Sequence, residues 1–307
     1  MSKFAIIFPG QGSQTVGMLA ELGEQFDVVK ATFAQASEVL GYDLWALVQN
    51  GPAEDLNQTS RTQPALLAAS VAIWRVWQEQ GLEQPANLAG HSLGEYSALV
   101  CAGVLDFQQA IKLVELRGQF MQDAVPAGVG AMYAIIGLDD ESIAKACEEA
   151  AQDEIVSPVN FNSPGQVVIA GNKAAVERAG VLCKAAGAKR ALPLPVSVPS
   201  HCALMQPAAD RLEIALQDIE FNTPIIPVIN NVDVIAETDP AKIKNALVRQ
   251  LHNPVRWTEG VQQMSEDGVE KLYELGPGKV LTGLTKRIVK TLTAAAVNDC
   301  ASLEAAK

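Results

Sequence analysis

What the 307-residue chain lacks narrows its chemistry before any motif is read. Its five cysteines (Cys101, Cys147, Cys183, Cys202, Cys300) are an odd, scattered set with no C-x-x-C pair, which argues against a zinc ribbon or a dithiol redox centre and suits a reducing compartment. No segment approaches the roughly 20 apolar residues of a membrane helix, and residues 1–20 lack a basic stretch followed by a long apolar run, so a cytosolic protein without a membrane partner is expected. Basic residues are scarce. With 23 Lys and Arg against 35 Asp and Glu, the net charge is −12, which leaves no electrostatic footprint for nucleic acid. Any anionic ligand must then be held by a local basic site. No internal repeat is present, and only three histidines exist, so the search for a general base is short.

What is present describes a folding chain. Hydrophobic residues make up 49% and charged residues 19%, with a mean hydropathy of +0.13, enough apolar surface for a core. The length is about twice a 150-residue domain. Phe4-Ala5-Ile6-Ile7-Phe8 closed by Pro9-Gly10 reads as a buried strand ending in a tight loop. An amphipathic helix from Pro64 to Gln80, an apolar run at Asn87-Leu88-Ala89, a glycine-rich turn at 90–94 and a helix through Cys101 follow. Such alternation implies a parallel sheet covered on both faces, with ligands at the carboxyl ends of its strands. Between about 128 and 197 the rhythm becomes β-α-β-β-α-β: strands at Ala131 to Ile136, Ile155 to Phe161, Gln166 to Ala170 and Arg190 to Val196, with helices at Asp139 to Ala151 and Lys173 to Ala186. Apolar runs at Pro224 to Ile229 and Val269 to Leu275 return to the first sheet. The expected fold class is therefore α/β: a large α/β-hydrolase-like parallel-sheet domain, residues 1–127 and 198–307, with an inserted ferredoxin-like βαββαβ subdomain at 128–197. The Ala-rich stretch after Thr293 reads as a loose tail.

Gly90-His91-Ser92-Leu93-Gly94 fits G-x-S-x-G, in which a serine is thrust out on a strained strand-to-helix turn. An ordinary glycine-rich turn is the alternative. A serine hydroxyl needs a base to be a nucleophile. His91 precedes Ser92 and should point away from it; His252 sits at a helix end, where a histidine commonly answers the helix dipole. His201, in the proline-fixed loop Val198-Pro199-Ser200-His201, is the preferred base. No Asp or Glu stands in a comparable loop to orient that ring, and Gln250 is one neutral candidate, or else a solvated residue of the helix Ala241 to Leu251. Oxyanion donors would be the N–H of Leu93 and, from the glycine-bearing loop Pro9-Gly10-Gln11-Gly12-Ser13-Gln14, the N–H of Gln11. That loop fails as a dinucleotide fingerprint because Thr15 replaces the third glycine, and Gly276-Pro277-Gly278-Lys279 lacks the spacing of a phosphate loop. No metal ligand set is assigned.

Arg117 carries the most information. On a helix from Phe107 to Ala124 at roughly 100° per residue, Ala110, Leu113, Val114, Met121 and Ala124 share a face, Lys112, Glu115, Gln119 and Gln122 lie opposite, and Arg117 falls among the apolar residues. A buried guanidinium demands an anion, either an internal Asp or Glu or a substrate carboxylate.

These residues resemble the malonyl-CoA:acyl carrier protein transacylases of fatty acid synthesis. The likeness rests on Phe8-Pro9-Gly10-Gln11-Gly12-Ser13-Gln14 and Gly90-His91-Ser92-Leu93-Gly94-Glu95, and continues at Arg117, Asn160 to Gln166, around His201 and at Gly276-Pro277-Gly278, over roughly residues 3–290. It implies two-step acyl transfer: malonyl-CoA acylates Ser92 with His201 as base, and the phosphopantetheine thiol of acyl carrier protein then takes the malonyl group. It further implies that Arg117 grips the malonyl carboxylate, that Gln11 and Leu93 supply the oxyanion hole, and that Gln250 orients His201. No cofactor beyond the thioester substrate is expected, nor any oligomer beyond a monomer. Lys189 with Arg190 and Lys286 with Arg287 are candidate contacts for the acidic carrier. A G-x-S-x-G esterase or thioesterase is the rival enzyme, although no His-Gly-Gly-Gly oxyanion loop is present; a catalytically idle carrier-binding scaffold is the rival of another class.

Overall fold

The computed structural model describes residues 3–196 and 198–307, so the expected subdomain boundary at 197 and the first two residues of the expected large domain lie outside the described residues. Among the described residues nine strands form two sheets. They are β1 (Phe4–Phe8), β2 (Asn87–Gly90), β3 (Gly130–Ile136), β4 (Val156–Ser163), β5 (Gln166–Asn172), β6 (Arg190–Pro193), β7 (Val228–Ile229), β8 (Lys271–Leu275) and β9 (Thr293–Val297). The first sheet is parallel throughout, in the order β7-β2-β1-β8-β9. Its apolar strands are covered on both faces: Ile6, Phe8 and Leu88 enter one core cluster, while the alternate residues Ala5, Ile7 and Ala89 enter another. β1 is central: the chain runs outward to β2 and β7 on one side and then to β8 and β9 on the other, so the reversal of strand order lies between β1 and β8, and the loops after β1 and the neighbouring β2 open at that carboxyl edge, where α/β sheets place ligands.

The second sheet is antiparallel, in the order β4-β5-β3-β6, with helices Asp140–Ala151 and Lys173–Ala185 packed on it through their own core of Ile135, Ile143, Val167, Ile169 and Val176. Its element sequence is the βαββαβ expected from the chain.

Four local expectations need correction. The stretch after Thr293 is no loose tail: β9 pairs in parallel with all of β8, and Asp299 and Ser302 form a reciprocal cap on the helix Cys300–Glu304. Alanines carry little strand signal, which hid it. The run Pro224 to Ile229 yields only the two-residue β7, since Pro224 and Pro227 have no N–H to offer a ladder. The long helix begins at Thr59, with Pro64 inside it. Glu115, expected on a solvated face, is buried and paired with Lys112 at 2.7 Å, because helix Phe107–Ala124 lies between the helices Thr59–Glu79 and Gln206–Gln217 and is covered on more than one side. Among the described residues no helix is long and apolar enough to cross a membrane, and all five cysteines are free.

Candidate active site

Ser92 sits where β2 gives way to the helix Leu93–Cys101, with φ 53° and ψ −108°, a conformation that L-residues avoid. The turn closes only because its neighbours are glycines: a Cβ on Gly94 would collide with the carbonyl oxygen of Phe8 at the end of β1. The loop after β1 packs equally close, since a Cβ on Gly10 would run into the carbonyl oxygen of His91. Thus Gln11 is carried on a turn laid against the elbow. Among the described residues neither the Gln11 nor the Leu93 N–H donates to a protein acceptor, as oxyanion donors require. Leu93 opens a helix, where the first N–H groups have no intrahelical partner and the dipole is positive.

His201 meets Ser92 across a sequence separation of more than a hundred residues. Its Nε2 is 2.8 Å from Ser92 Oγ, and its Nδ1 is 2.7 Å from the main-chain oxygen of Gln250. A carbonyl can only accept, so Nδ1 carries the proton and Nε2 presents its lone pair to the serine hydroxyl, which donates. That carbonyl is free because Gln250 ends the helix Pro240–Gln250, whose last C=O groups have no partner within the helix. The ring is buried, and burial, with the nearby Arg117 charge next, pushes its pKa down to about 3. It is a neutral imidazole at any ordinary pH. Like Ser92, His201 has a positive φ, 66°.

The residue expected to orient the histidine meets it by a different atom. Gln250 touches the ring through its backbone; its side chain faces the other way, accepting from Arg117 Nη2 at 2.9 Å and donating to Glu95 Oε2 at 2.8 Å. Side-chain identity at 250 is therefore tied to the arginine. Arg117 is wholly buried. Its Nη1 donates to Gln63 Oε1 at 2.8 Å, its Nη2 also lies 3.4 Å from Ser92 Oγ, and its Nε has no partner. The guanidinium stands over the Tyr96 ring, 5.3 Å from the centroid. No carboxylate pairs with it among the described residues, so the internal ion pair allowed by the sequence is absent.

His91 is directed elsewhere, with Nε2 2.8 Å from Asn162 Oδ1 and its ring against Trp257. His252 takes no part in the network. Three members escaped the sequence reading. Gln63 anchors Arg117, Asn231 accepts the Ser92 N–H at 2.8 Å and donates to Gly90 O at 2.8 Å, and Glu95 accepts from Gln250 and from the Asn231 N–H at 2.9 Å. The available signals were polar residues inside apolar helices, at 63 and 95, and an Asn pair following an apolar run, at 230 and 231. Among the described residues no cluster of three or more His, Cys, Asp or Glu is placed to hold a metal ion. A serine with a neutral base, two free amides and an unpaired buried cation is a set suited to transferring an acyl group that bears a negative charge.

Residues 5–305 match the family model described as acyl transferase domain. Among curated proteins, the malonyl CoA-acyl carrier protein transacylase of Escherichia coli (strain K12) is 70% identical over 306 residues, 100% of this chain and 99% of the relative. The Bacillus subtilis (strain 168) protein of the same name is 46% identical over 307 residues, 100% and 96% respectively. Among solved structures, an acyl carrier protein S-malonyltransferase from Vibrio cholerae O1 biovar eltor superposes with a TM-score of 0.98 at 82% identity over 100% of both chains. A malonyl-transacylase solved in complex with a type II PKS acyl-carrier protein gives 0.99 at 72% identity over 99% of both.

Proposed function

The chain belongs to the acyl transferase family, and on that footing we propose that it carries a malonyl group from malonyl-CoA to the phosphopantetheine thiol of acyl carrier protein, through a malonyl ester of Ser92, in fatty acid biosynthesis. As Ser92 Oγ attacks the thioester carbonyl, its proton passes to His201 Nε2, and the oxyanion is met by the N–H groups of Gln11 and Leu93. Collapse of that intermediate expels the CoA sulfur, which leaves with the proton from His201. In the second half-reaction His201 takes the proton of the carrier thiol, sulfur attacks the ester carbonyl, and Ser92 Oγ departs and recovers the proton.

The one observation that carries this reading is Arg117, buried, without a carboxylate, and 3.4 Å from the nucleophile. A malonyl carboxylate supplies the missing anion and sets the thioester carbonyl near Ser92. It also strengthens the base. The Arg117 charge helps hold the His201 pKa down, and neutralising that charge with substrate lifts this part of the depression when proton transfer is needed. A carbonyl beneath His201 in place of a carboxylate avoids repelling the incoming malonate.

The same reading has the enzyme acting in the cytoplasm as a monomer with no cofactor beyond its thioester substrate. Its carrier is acidic and the chain is at −12, so docking falls to local cations. Lys189 with Arg190 and Lys286 with Arg287 are exposed for it, and Arg287 is linked to Gln166 on β5 at 2.8 Å. Intact mass after malonyl-CoA, and again after holo carrier protein, tests the whole scheme. One malonyl group gained and then lost to the carrier is expected; release of free malonate without carrier, faster than transfer with it, would make the protein a hydrolase.

A further inference from the structure

Glu95 is a carboxylate almost wholly removed from solvent, three residues after the nucleophile, and no chemical step above uses it. No cation pairs with it among the described residues. Its Oε2 receives two donors: Nε2 of Gln250 at 2.8 Å and the backbone N–H of Asn231 at 2.9 Å. Both donors belong to residues that touch the reacting groups. Gln250 Oε1 accepts from Arg117 Nη2, and Asn231 Oδ1 accepts from the Ser92 N–H.

A side-chain amide has a donor end and an acceptor end, and a half-turn exchanges them. Turned over, Gln250 would aim its NH2 at Arg117, donor against donor, and release the guanidinium from its hold. An oxygen at the Glu95 Oε2 position opposes that turn, because at 2.8 Å it is the nearest acceptor for the NH2 on the other side, ahead of the Ser92 main-chain oxygen at 3.1 Å and Asn231 Oδ1 at 3.4 Å. That oxygen is itself kept in place by the Asn231 backbone N–H, which cannot flip.

We propose that Glu95 is a positioning residue for the donor's carboxylate: by fixing the polarity of the Gln250 amide it holds the Arg117 guanidinium, and through Asn231 it steadies the Ser92 turn. The inference rests on the reading that Arg117 binds the malonyl carboxylate. What matters is an acceptor oxygen at the right reach. Glu95→Gln keeps that oxygen without the charge, whereas Glu95→Asp keeps the charge and withdraws the oxygen by one methylene.

The test measures Ser92 acylation of the full chain by malonyl-CoA and by acetyl-CoA, with melting curves for every variant. Glu95→Gln is expected to keep the malonyl-to-acetyl ratio of kcat/KM within about threefold, and Glu95→Asp to lower it about tenfold or more, chiefly through the malonyl KM. Glu95→Ala should behave as the Asp variant; should it not fold, the Asp and Gln variants still decide. A Glu95→Asp enzyme with an unchanged ratio, or a Glu95→Gln enzyme as impaired as the Asp one, overturns the proposal. Arg117→Ala separates the two levels. An unchanged ratio there defeats the carboxylate reading and this inference with it, while a collapsed ratio there beside an unchanged one in Glu95→Asp defeats the inference alone.

Discussion

The nucleophile's turn and the arginine pocket adjoin each other, yet they are built in opposite ways. The turn is local: β2, Ser92, the Leu93 amide and the following helix occupy one unbroken stretch between Asn87 and Cys101. The pocket is assembled from afar, with Gln63, Arg117 and Gln250 arriving on three further helices to meet Glu95 of the serine's own helix. A short segment thus specifies the serine's turn and its adjoining amide, whereas His201 and the surroundings of Arg117 are brought to it only by the finished core.

Damage to the local device should be felt by every donor. Ser92→Ala is expected to abolish the covalent malonyl-enzyme, a loss of at least about 10³-fold in transfer; radiolabel retained on the denatured variant would refute it. Damage to the assembled device should discriminate. Arg117→Ala should lower malonyl transfer about 10²-fold and acetyl transfer far less, and equal losses for both donors would erase the distinction drawn between the two regions. Reversing charge outside both, with Lys286→Glu and Arg287→Glu together, should raise the carrier KM several-fold, on the order of 3–10, and leave the acylation half-reaction alone. An unaltered KM would exclude that pair as a dock.

The smallest expected effect concerns pH. A histidine near its ordinary pKa of 6.5 would lose its base form as the pH falls through the physiological range. With the pKa of His201 pushed down to about 3, the base form persists until far lower pH. Acylation by acetyl-CoA, which leaves the arginine unneutralised, should therefore change less than about twofold between pH 8 and 5. A limb centred near 6.5 in single-turnover acylation would show the imidazole to be solvated.

The contrast between local and assembled parts also explains what could be read from the chain. Ser92, its glycines and the Leu93 amide follow from a five-residue pattern, and His201 follows by elimination among three histidines. The β-α-β-β-α-β order of the second sheet was legible because strand and helix periods alternate cleanly there. Arg117 announced itself as a charge on an apolar helical face. Its partners did not, because a polar residue inside a helix gives no sign of what meets it across the core. Gln250 illustrates the limit: the position was legible, but not that its backbone would serve His201 and its side chain Arg117. Glu115 failed for the related reason that a helical wheel cannot count how many neighbours surround the helix.

Five described non-glycine residues have a positive φ, and two of them are Ser92 and His201, the pair whose Oγ and Nε2 meet at 2.8 Å. Each such residue costs on the order of 1–3 kcal/mol, and glycine at either place would relieve its backbone. Selection for folding alone would thus favour sequences that have forgotten how to react. With a side chain at both positions, the fold carries a standing thermodynamic deficit at its candidate site, made good by the well-packed sheet and helices beneath.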